Sequence, residues 1–402
     1  MFEKVCIATF SVYKDGKRTA INGMVEPLLS FFQTRTKELD LIDGPHPGSD
    51  TVLTMYEKYL NGNVAQRSTS YLSSFLSPLL RAQNENGTQV FFKLRDIVSV
   101  FEWMIRSRKR YDLFIGLESI FTIAGIMLKK IGLAKKVVYY VSDYSPKRYP
   151  QKMLNSFYLW LDRYCCYNAD YIWDVSPAML PARISAGLDK KKSHPFILVP
   201  NALFPEQINY LPDEKVKKNS LVFAGTFGFE NGSKLAIETM VEVVKNISDA
   251  SLHFFGGDEQ LENQLKTVTR DLNLQKHVFF HGFIPNAPKL SESIKRYMIG
   301  LAPYLSIPGS ARWYADATKI RLYLGAGLPV ITTQVPPLGR EISRIGAAII
   351  VNDDERDLAK AIIDLLNDKK KYTEMRKNAK QYAKKNTWGN TFRSAFSQMN
   401  LS

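Results

Sequence analysis

Residues 316–336 read DATKIRLYLGAGLPVITTQVP. Ile320, Tyr323 and Leu324 recur at i, i+3 and i+4, so 317–325 predicts a short helix with one core-facing stripe. Asp316 suits its N-cap, and Gly325 or Gly327 suits its C-terminal stop. Pro329 to Thr332 then predicts a buried strand. A helix joined by a tight turn to a short, wholly apolar strand is the building unit of a parallel sheet covered on both faces. One residue sits oddly in this unit. Lys319 falls in the first helical turn, where the macrodipole disfavours a cation. It is either a solvated side chain that snorkels outward or a point charge for an anion held at the helix N-terminus.

The same alternation extends along the chain. Strands are predicted at 4–10, 112–116, 136–142, 170–175 and 195–199, and again at 220–225, 251–256, 277–282, 298–303, 328–332 and 347–351, with helical stretches between them. These are too many strands for one ordinary open sheet. The segment FPEQINYLPDEKVKKN (204–219) has two prolines, several charges and no clear period, and reads as a linker. The expected division is an α/β domain over 1–203, the linker 204–219, a second α/β domain over 220–387, and a last helix, 388–402, that packs back on the first. In open α/β sheets ligands bind beyond the carboxyl ends of the strands. The first strand is followed by SVYKDGKRTAING (11–23), which lacks a G-x-G-x-x-G fingerprint and argues against a dinucleotide enzyme. The strand SLVFAG is followed instead by Gly225, Thr226 and Gly228, and glycines there let backbone N–H groups approach an oxyanion.

The 402 residues are 45% hydrophobic and 23% charged, as in an ordinary globular protein. The three cysteines, Cys6, Cys165 and Cys166, imply no disulfide framework and fit a reducing compartment. The start, MFEKVCIATF, reads as a strand rather than a signal peptide. The longest apolar stretch, 113–128, contains Glu118 and is too short to span a bilayer. The expectation is a cytoplasmic protein without a transmembrane segment. The net charge is +15, spread over both halves, which favours acidic partners or simply solubility. Residues 93–148 hold 12 basic and 5 acidic residues. Within them 93–111 predicts an amphipathic helix with Leu94, Ile97, Val98, Phe101, Met104 and Ile105 toward the core. Trp103 then either projects outward among arginines, as at an anionic membrane surface, or touches another helix. The apolar stretch 71–80 either dips into lipid or joins the core.

The second half resembles the donor domain of GT-B glycosyltransferases in the broad group around family 4. The resemblance rests on TKIRLYLGAGLPVITT, on LVFAGTF with NGSKLAIE as a first strand and phosphate loop, on LHFFGGDEQLENQL as a second strand, and on VFFHGFIPNAPKL as the loop beside the nucleotide base. LVPNA (198–202) and KNAKQYAKKNTWGNTF are similar to the strand and helix that close the two domains. The chain departs from family 4 where two glutamates with seven residues between them are usual: Tyr314 and Leu322 stand there. The spacing from Tyr304 to Asp316-Ala317-Thr318-Lys319 is closer to the xanthan-type bacterial glucuronosyltransferase, an inverting enzyme. What the resemblance implies is a GT-B fold of two Rossmann-like domains facing each other across a cleft. It also implies nucleotide-sugar contacts from Gly225, Thr226, Phe283, Tyr304, Thr318 and Lys319, and a base in the first domain at the place of Asp143.

Asp143 follows the strand KVVYYVS, and a carboxylate at a strand's carboxyl end suits deprotonation of an acceptor hydroxyl. Alternatively it is a turn residue before Pro146. Glu118, in FIGLES, ends the preceding strand and is the other candidate base. Asp162, Asp170 and Asp174 are weaker candidates. His281 has no second ligand at metal-binding spacing, and no metal cofactor is expected. The expected function is transfer of a sugar from a nucleotide diphosphate sugar, UDP-linked by preference, to a hydroxyl of a glycan or lipid-linked glycan acceptor, in polysaccharide or glycoconjugate synthesis. The expected location is cytoplasmic, peripheral on the inner membrane face. The alternatives are a UDP-sugar 2-epimerase and a non-catalytic sugar-nucleotide-binding protein. No nucleic-acid-binding motif is present, so nucleic acid is not expected as a partner.

Overall fold

The computed structural model describes residues 2–19, 23–86, 90–257 and 259–399. Residues 20–22 of the stretch after the first strand, Asp258 of the stretch 252–265 and residues 400–402 of the last helix lie outside them. The chain forms two compact units, one of residues 1–200 with 392–402, the other of residues 201–391.

Among the described residues the first unit holds a sheet of β1 (Lys4–Lys14), β2 (Lys17–Thr19), β3 (Glu38–Pro45), β4 (Met55–Leu60), β5 (Asn63–Thr69), β6 (Tyr111–Leu117), β7 (Ala134–Val141), β8 (Tyr171–Asp174) and β9 (Phe196–Leu198). The order is β5-β4-β3-β1-β6-β7-β8-β9, with β2 on β1. Pairing is parallel from β3 through β9 and antiparallel at β2, β4 and β5. The chain leaves β1 toward β3 and returns to its other side at β6, so the sheet has a switch point between β1 and β6.

Strands β2 to β5 were absent from the predicted set. Three of them, β2, β4 and β5, are arms of hairpins whose turns the sequence spells out. Asp15-Gly16 and Asn61-Gly62 all have positive φ, the conformation two-residue primed turns require and that Asp-Gly and Asn-Gly adopt readily. The helix Trp388–Gln398 returns to the first unit, where Phe396 stacks on Phe31 at 5.7 Å and meets Trp173 edge-on at 5.4 Å.

The helix Val90–Ser107 is present but turned away from the expected face. Leu94 and Ile105 are exposed, Ile97, Val98 and Phe101 are half-buried and of the six only Met104 is buried, whereas Arg95, Asp96, Ser99, Glu102 and Trp103 are buried. The buried stripe mixes these hydrogen-bonding residues with Phe92 and Val100. Arg95 donates to the carbonyls of Pro45 and Val52, Glu102 accepts the N–H groups of Tyr71 and Leu72, and the Trp103 indole N–H donates to Asp40 at 3.0 Å. These bonds outweigh the apolar count on the opposite side, because an unpaired buried polar group costs about 1–3 kcal/mol. Trp103 is therefore a core residue and no membrane anchor.

The second unit holds, among the described residues, β10 (Ser220–Gly225), β11 (Ser251–Gly256), β12 (Val278–Phe280), β13 (Ile299–Ala302), β14 (Val330–Thr333) and β15 (Ala348–Val351). All are parallel, in the order β12-β11-β10-β13-β14-β15. The strands are mostly apolar, as in a parallel sheet with helices on both faces. The chain steps outward from β10 to β12 and returns at β13, which puts the switch point between β10 and β13. The segment 204–219 is no free tether. Asp213 accepts from Arg376 at 2.7 Å, Arg376 also donates to the carbonyls of Gly327 and Leu211, and Ser291 donates to the carbonyl of Gln207. No helix among the described residues is long and apolar enough to cross a membrane.

Candidate functional site

The switch point of the second unit is where its chemistry gathers. β10 ends at Gly225 (φ +118°), a left-handed conformation that a side chain would strain. The chain then enters the helix Ser233–Asn246 through Gly232 (φ +72°), where a Cβ would lie 1.8 Å from the Pro303 carbonyl oxygen. Only glycine lets that helix start so close to the end of β13. The helix Thr318–Gly325 brings its own first turn to the same place. Its Tyr323 hydroxyl accepts from the Ala224 N–H at 2.7 Å and donates to the Leu301 carbonyl at 3.0 Å. Tyr323 thus pins the helix to β10 and β13 together, and Lys319, one turn earlier on the same face, is aimed between the two strand ends.

Lys319 is only 8% exposed. Its ammonium lies 4.0 Å from the centre of the Phe223 ring and 4.9 Å from that of Tyr304, and a Cβ on Gly225 would meet its Cε at 3.5 Å. Yet Nζ has no hydrogen-bond partner. Burial, with the nearby Arg312 guanidinium, lowers its pKa to about 7. The outward, solvated reading of Lys319 is thereby excluded. A buried amine between two aromatic faces, unpaired and next to a second cation, has the chemistry to receive an anion.

Of the other expected contacts, Gly225 and Tyr304 adjoin Lys319, and Thr318 is the exposed first residue of the helix. Thr226 is exposed and its Oγ1 accepts from Asn231 Nδ2 at 2.8 Å. Phe283 is 71% exposed, on the loop after β12, and no contact joins it to this cluster. Asp316 does not cap the helix. Ala317 holds the N-cap place without a side-chain bond, and Asp316 instead forms a buried two-pronged ion pair with Arg321 at 2.9 and 3.0 Å while accepting the Asn201 N–H. A bidentate arginine five residues on is a stronger partner than a single helix N–H.

Sequence reasoning passed over Tyr323 as a positioning residue, although its i+4 spacing from Lys319 was visible. It also missed a partner for His281, whose Nε2 lies 2.9 Å from His253 Nδ1; pairing of β11 with β12 unites them. Two imidazoles are short of a metal site, and among the described residues no three His, Cys, Asp or Glu side chains could hold a metal ion.

In the first unit Glu118 and Asp143 follow β6 and β7. Glu118 has φ +62°, a strained backbone for a residue with a side chain. The turn is forced tight: a Cβ at Gly116 would come within 2.6 Å of the Thr122 backbone, and Thr122 Oγ1 donates to the carbonyls of Gly116 and Glu118. The Glu118 carboxylate accepts from both the N–H and the hydroxyl of Ser142, at 2.9 and 2.5 Å. Burial raises its pKa, with Arg148 and Ser142 opposing. Asp143 is held by Arg148 at 2.8 Å and its side chain is 44% exposed. The weaker candidates are spent elsewhere: Asp162 and Asp174 both pair with buried Arg183, and Asp170 with Lys129 and Lys136.

Residues 218–368 match the family model described as glycosyl transferases group 1. Over nearly its full length the chain is similar in fold to sucrose-phosphate synthase from Thermosynechococcus elongatus (TM-score 0.70, 14% identity, 99% of each chain covered). It is similar too to Anabaena Alr3699/HepE in complex with UDP (TM-score 0.67, 13% identity, 99% of each). A third likeness is to the lipopolysaccharide outer core galactosyltransferase WaaB (TM-score 0.58, 14% identity, 98% of this chain and 99% of that one). No curated protein matches the chain. The architecture is that of the GT-B glycosyltransferases.

Proposed function

We propose that the protein transfers a sugar from a UDP-linked donor to a hydroxyl of a glycan or lipid-linked glycan. The observation that carries this reading is the buried, unpaired ammonium of Lys319 at the switch point of the domain that matches the glycosyltransferase model. A diphosphate supplies the missing counter-charge, and the free N–H groups at the start of the helix Thr318–Gly325 add to it. UDP present in the Anabaena neighbour supports the choice of nucleotide. Positive charge at the leaving diphosphate stabilises the transition state as the glycosidic bond to phosphate breaks. Because Lys319 and the helix supply that charge, we propose that turnover needs no divalent cation.

For the base that deprotonates the attacking hydroxyl, Glu118 has the stronger claim. It sits beside the switch point of its sheet, on a strained turn, with its pKa raised toward working pH. Asp143 follows β7, one strand further out, and its charge is already matched by Arg148. The test is product analysis with a panel of UDP-sugars and hydroxyl acceptors. Free UDP plus a new glycoside supports transfer. An isomeric UDP-sugar formed without acceptor would establish a 2-epimerase, and UDP binding without any turnover a sensor.

A further inference from the structure

The helix Lys152–Asn168 carries an exposed face that no element among the described residues covers. Met153 is 88% exposed, Phe157 55% and Trp160 52%. With Tyr164 they recur at i, i+4, i+7 and i+11, which places all four within about 60° of one another around the helix. The opposite side, Leu161, Asp162, Cys165 and Cys166, is buried. The exposed rings form a continuous stack, Phe157 on Trp160 and Trp160 on Tyr164, each pair at 5.9 Å. Lysines bracket the stripe. Lys147 and Lys152 are exposed at its start, and Lys130 reaches the far end, where its Nζ bonds the Tyr164 hydroxyl at 3.2 Å. Residues 129–163 hold eight basic and two acidic residues, and both acids are ion-paired, Asp143 with Arg148 and Asp162 with Arg183.

We propose that this face docks on an anionic lipid bilayer, with Met153, Phe157 and Trp160 entering the headgroup boundary and Lys130, Lys147 and Lys152 meeting lipid phosphates. Aromatic and large apolar side chains in one narrow stripe with flanking lysines are the composition of helices that lie in the membrane interface. A second copy of the chain is the poorer occupant, because two like-charged lysine clusters would face each other across the contact. The surface lies two helices away from the one the sequence suggested: Trp103 is buried, and Trp160 takes its place.

Sedimentation with phosphatidylglycerol-containing vesicles tests this. The full chain should bind them, release as salt rises, and bind pure phosphatidylcholine far less. Phe157→Ser with Trp160→Ser should weaken binding about tenfold or more, and Lys147→Glu with Lys152→Glu should weaken it comparably. Phe75→Ser, in the separate exposed patch at Tyr71–Phe75 (Phe75 is 83% exposed), should leave it unchanged. Trp103, Trp173 and Trp388 are buried and Trp313 is half-buried in the second unit, so brominated lipid should quench chiefly Trp160, and Trp160→Phe should remove most of that quenching while retaining binding. Equal binding to neutral vesicles, loss through Phe75 alone, or a lipid-free dimer that the double serine variant dissolves would each overturn the proposal. None of these measurements requires turnover, so they stand apart from the transfer reading.

Discussion

Replacing Lys319 by methionine should move stability and nucleotide affinity in opposite directions. In the unliganded protein the Lys319 amine is buried without a hydrogen-bond partner, a condition that costs about 1–3 kcal/mol. The Phe223 and Tyr304 faces, at 4.0 and 4.9 Å, return part of that, about 0.5–2 kcal/mol. Methionine keeps the length and apolar stem and lacks the amine, so the unliganded protein should gain about 1 kcal/mol, or roughly 2–4 °C in the melting of the second unit. UDP binding should instead lose a charge-assisted contact worth about 1.5–3 kcal/mol, which is roughly a 10- to 150-fold weaker Kd. Scanning calorimetry and isothermal titration on one protein preparation read both quantities. The pKa of about 7 adds a signature: above that pH the free amine is largely neutral, so UDP binding to the wild type should take up a proton at pH 8, seen as a dependence of the binding heat on the buffer, and the variant should not. A variant that is less stable and binds UDP as before would refute the reasoning and make Lys319 a packing residue.

Glu118→Gln should lower turnover about 10²–10⁴-fold with UDP affinity intact, and Asp143→Asn should do much less; the reverse ranking returns the base to Asp143. Because the Glu118 pKa is raised and a base acts deprotonated, the wild-type rate should fall with pH at values above the ordinary carboxylate range, a limb the glutamine variant lacks. Gly232→Ala, with φ +72° and a Cβ 1.8 Å from the Pro303 oxygen, should destabilise the second unit by about 2–4 kcal/mol, read by denaturant melts. Burial and the Lys217 charge lower the His253 pKa to about 3, so the unfolded chain binds more protons below about pH 6.5; stability should fall as pH drops from about 6.5 toward 3, and His253→Asn should flatten that slope. Turnover should persist in excess chelator, and its loss would show that Lys319 is not the charge that serves the diphosphate.

The parallel strands other than β3 were legible because each is a short, mostly apolar run set between helices, and this pattern survives without an alignment; in β3 (Glu38–Pro45) Asp40 and Asp43 interrupt the apolar run. The hairpins β1–β2 and β4–β5 were legible in principle, through Asp15-Gly16 and Asn61-Gly62, but their strands carry too many charges to stand out by hydropathy. The helix Val90–Ser107 shows where periodicity misleads. Its buried face mixes apolar residues with hydrogen-bonding ones, and the partners that settle the matter, Asp40, Pro45 and Val52, lie some 40–60 residues away in sequence. Lys319 was identifiable as misplaced from the helix dipole alone. That it is buried and unpaired depends on Tyr323 bonding Ala224 and Leu301, which fixes the helix against β10 and β13. Asp316 resembled a cap until Arg321 claimed it, since a side-chain pair five apart carries no weight in a capping rule. The exposed stripe Met153, Phe157, Trp160 was hidden within an ordinary amphipathic helix, because only burial shows which of its two apolar sides faces the core.

The central claim is that Lys319 holds the diphosphate of a nucleotide sugar, and a crystal structure of the protein with UDP tests it most directly. The account predicts a phosphate oxygen within about 3.2 Å of Lys319 Nζ, beside Gly225 and the first turn of the helix Thr318–Gly325. UDP bound with its diphosphate away from Lys319, and Nζ still without a partner, would contradict it.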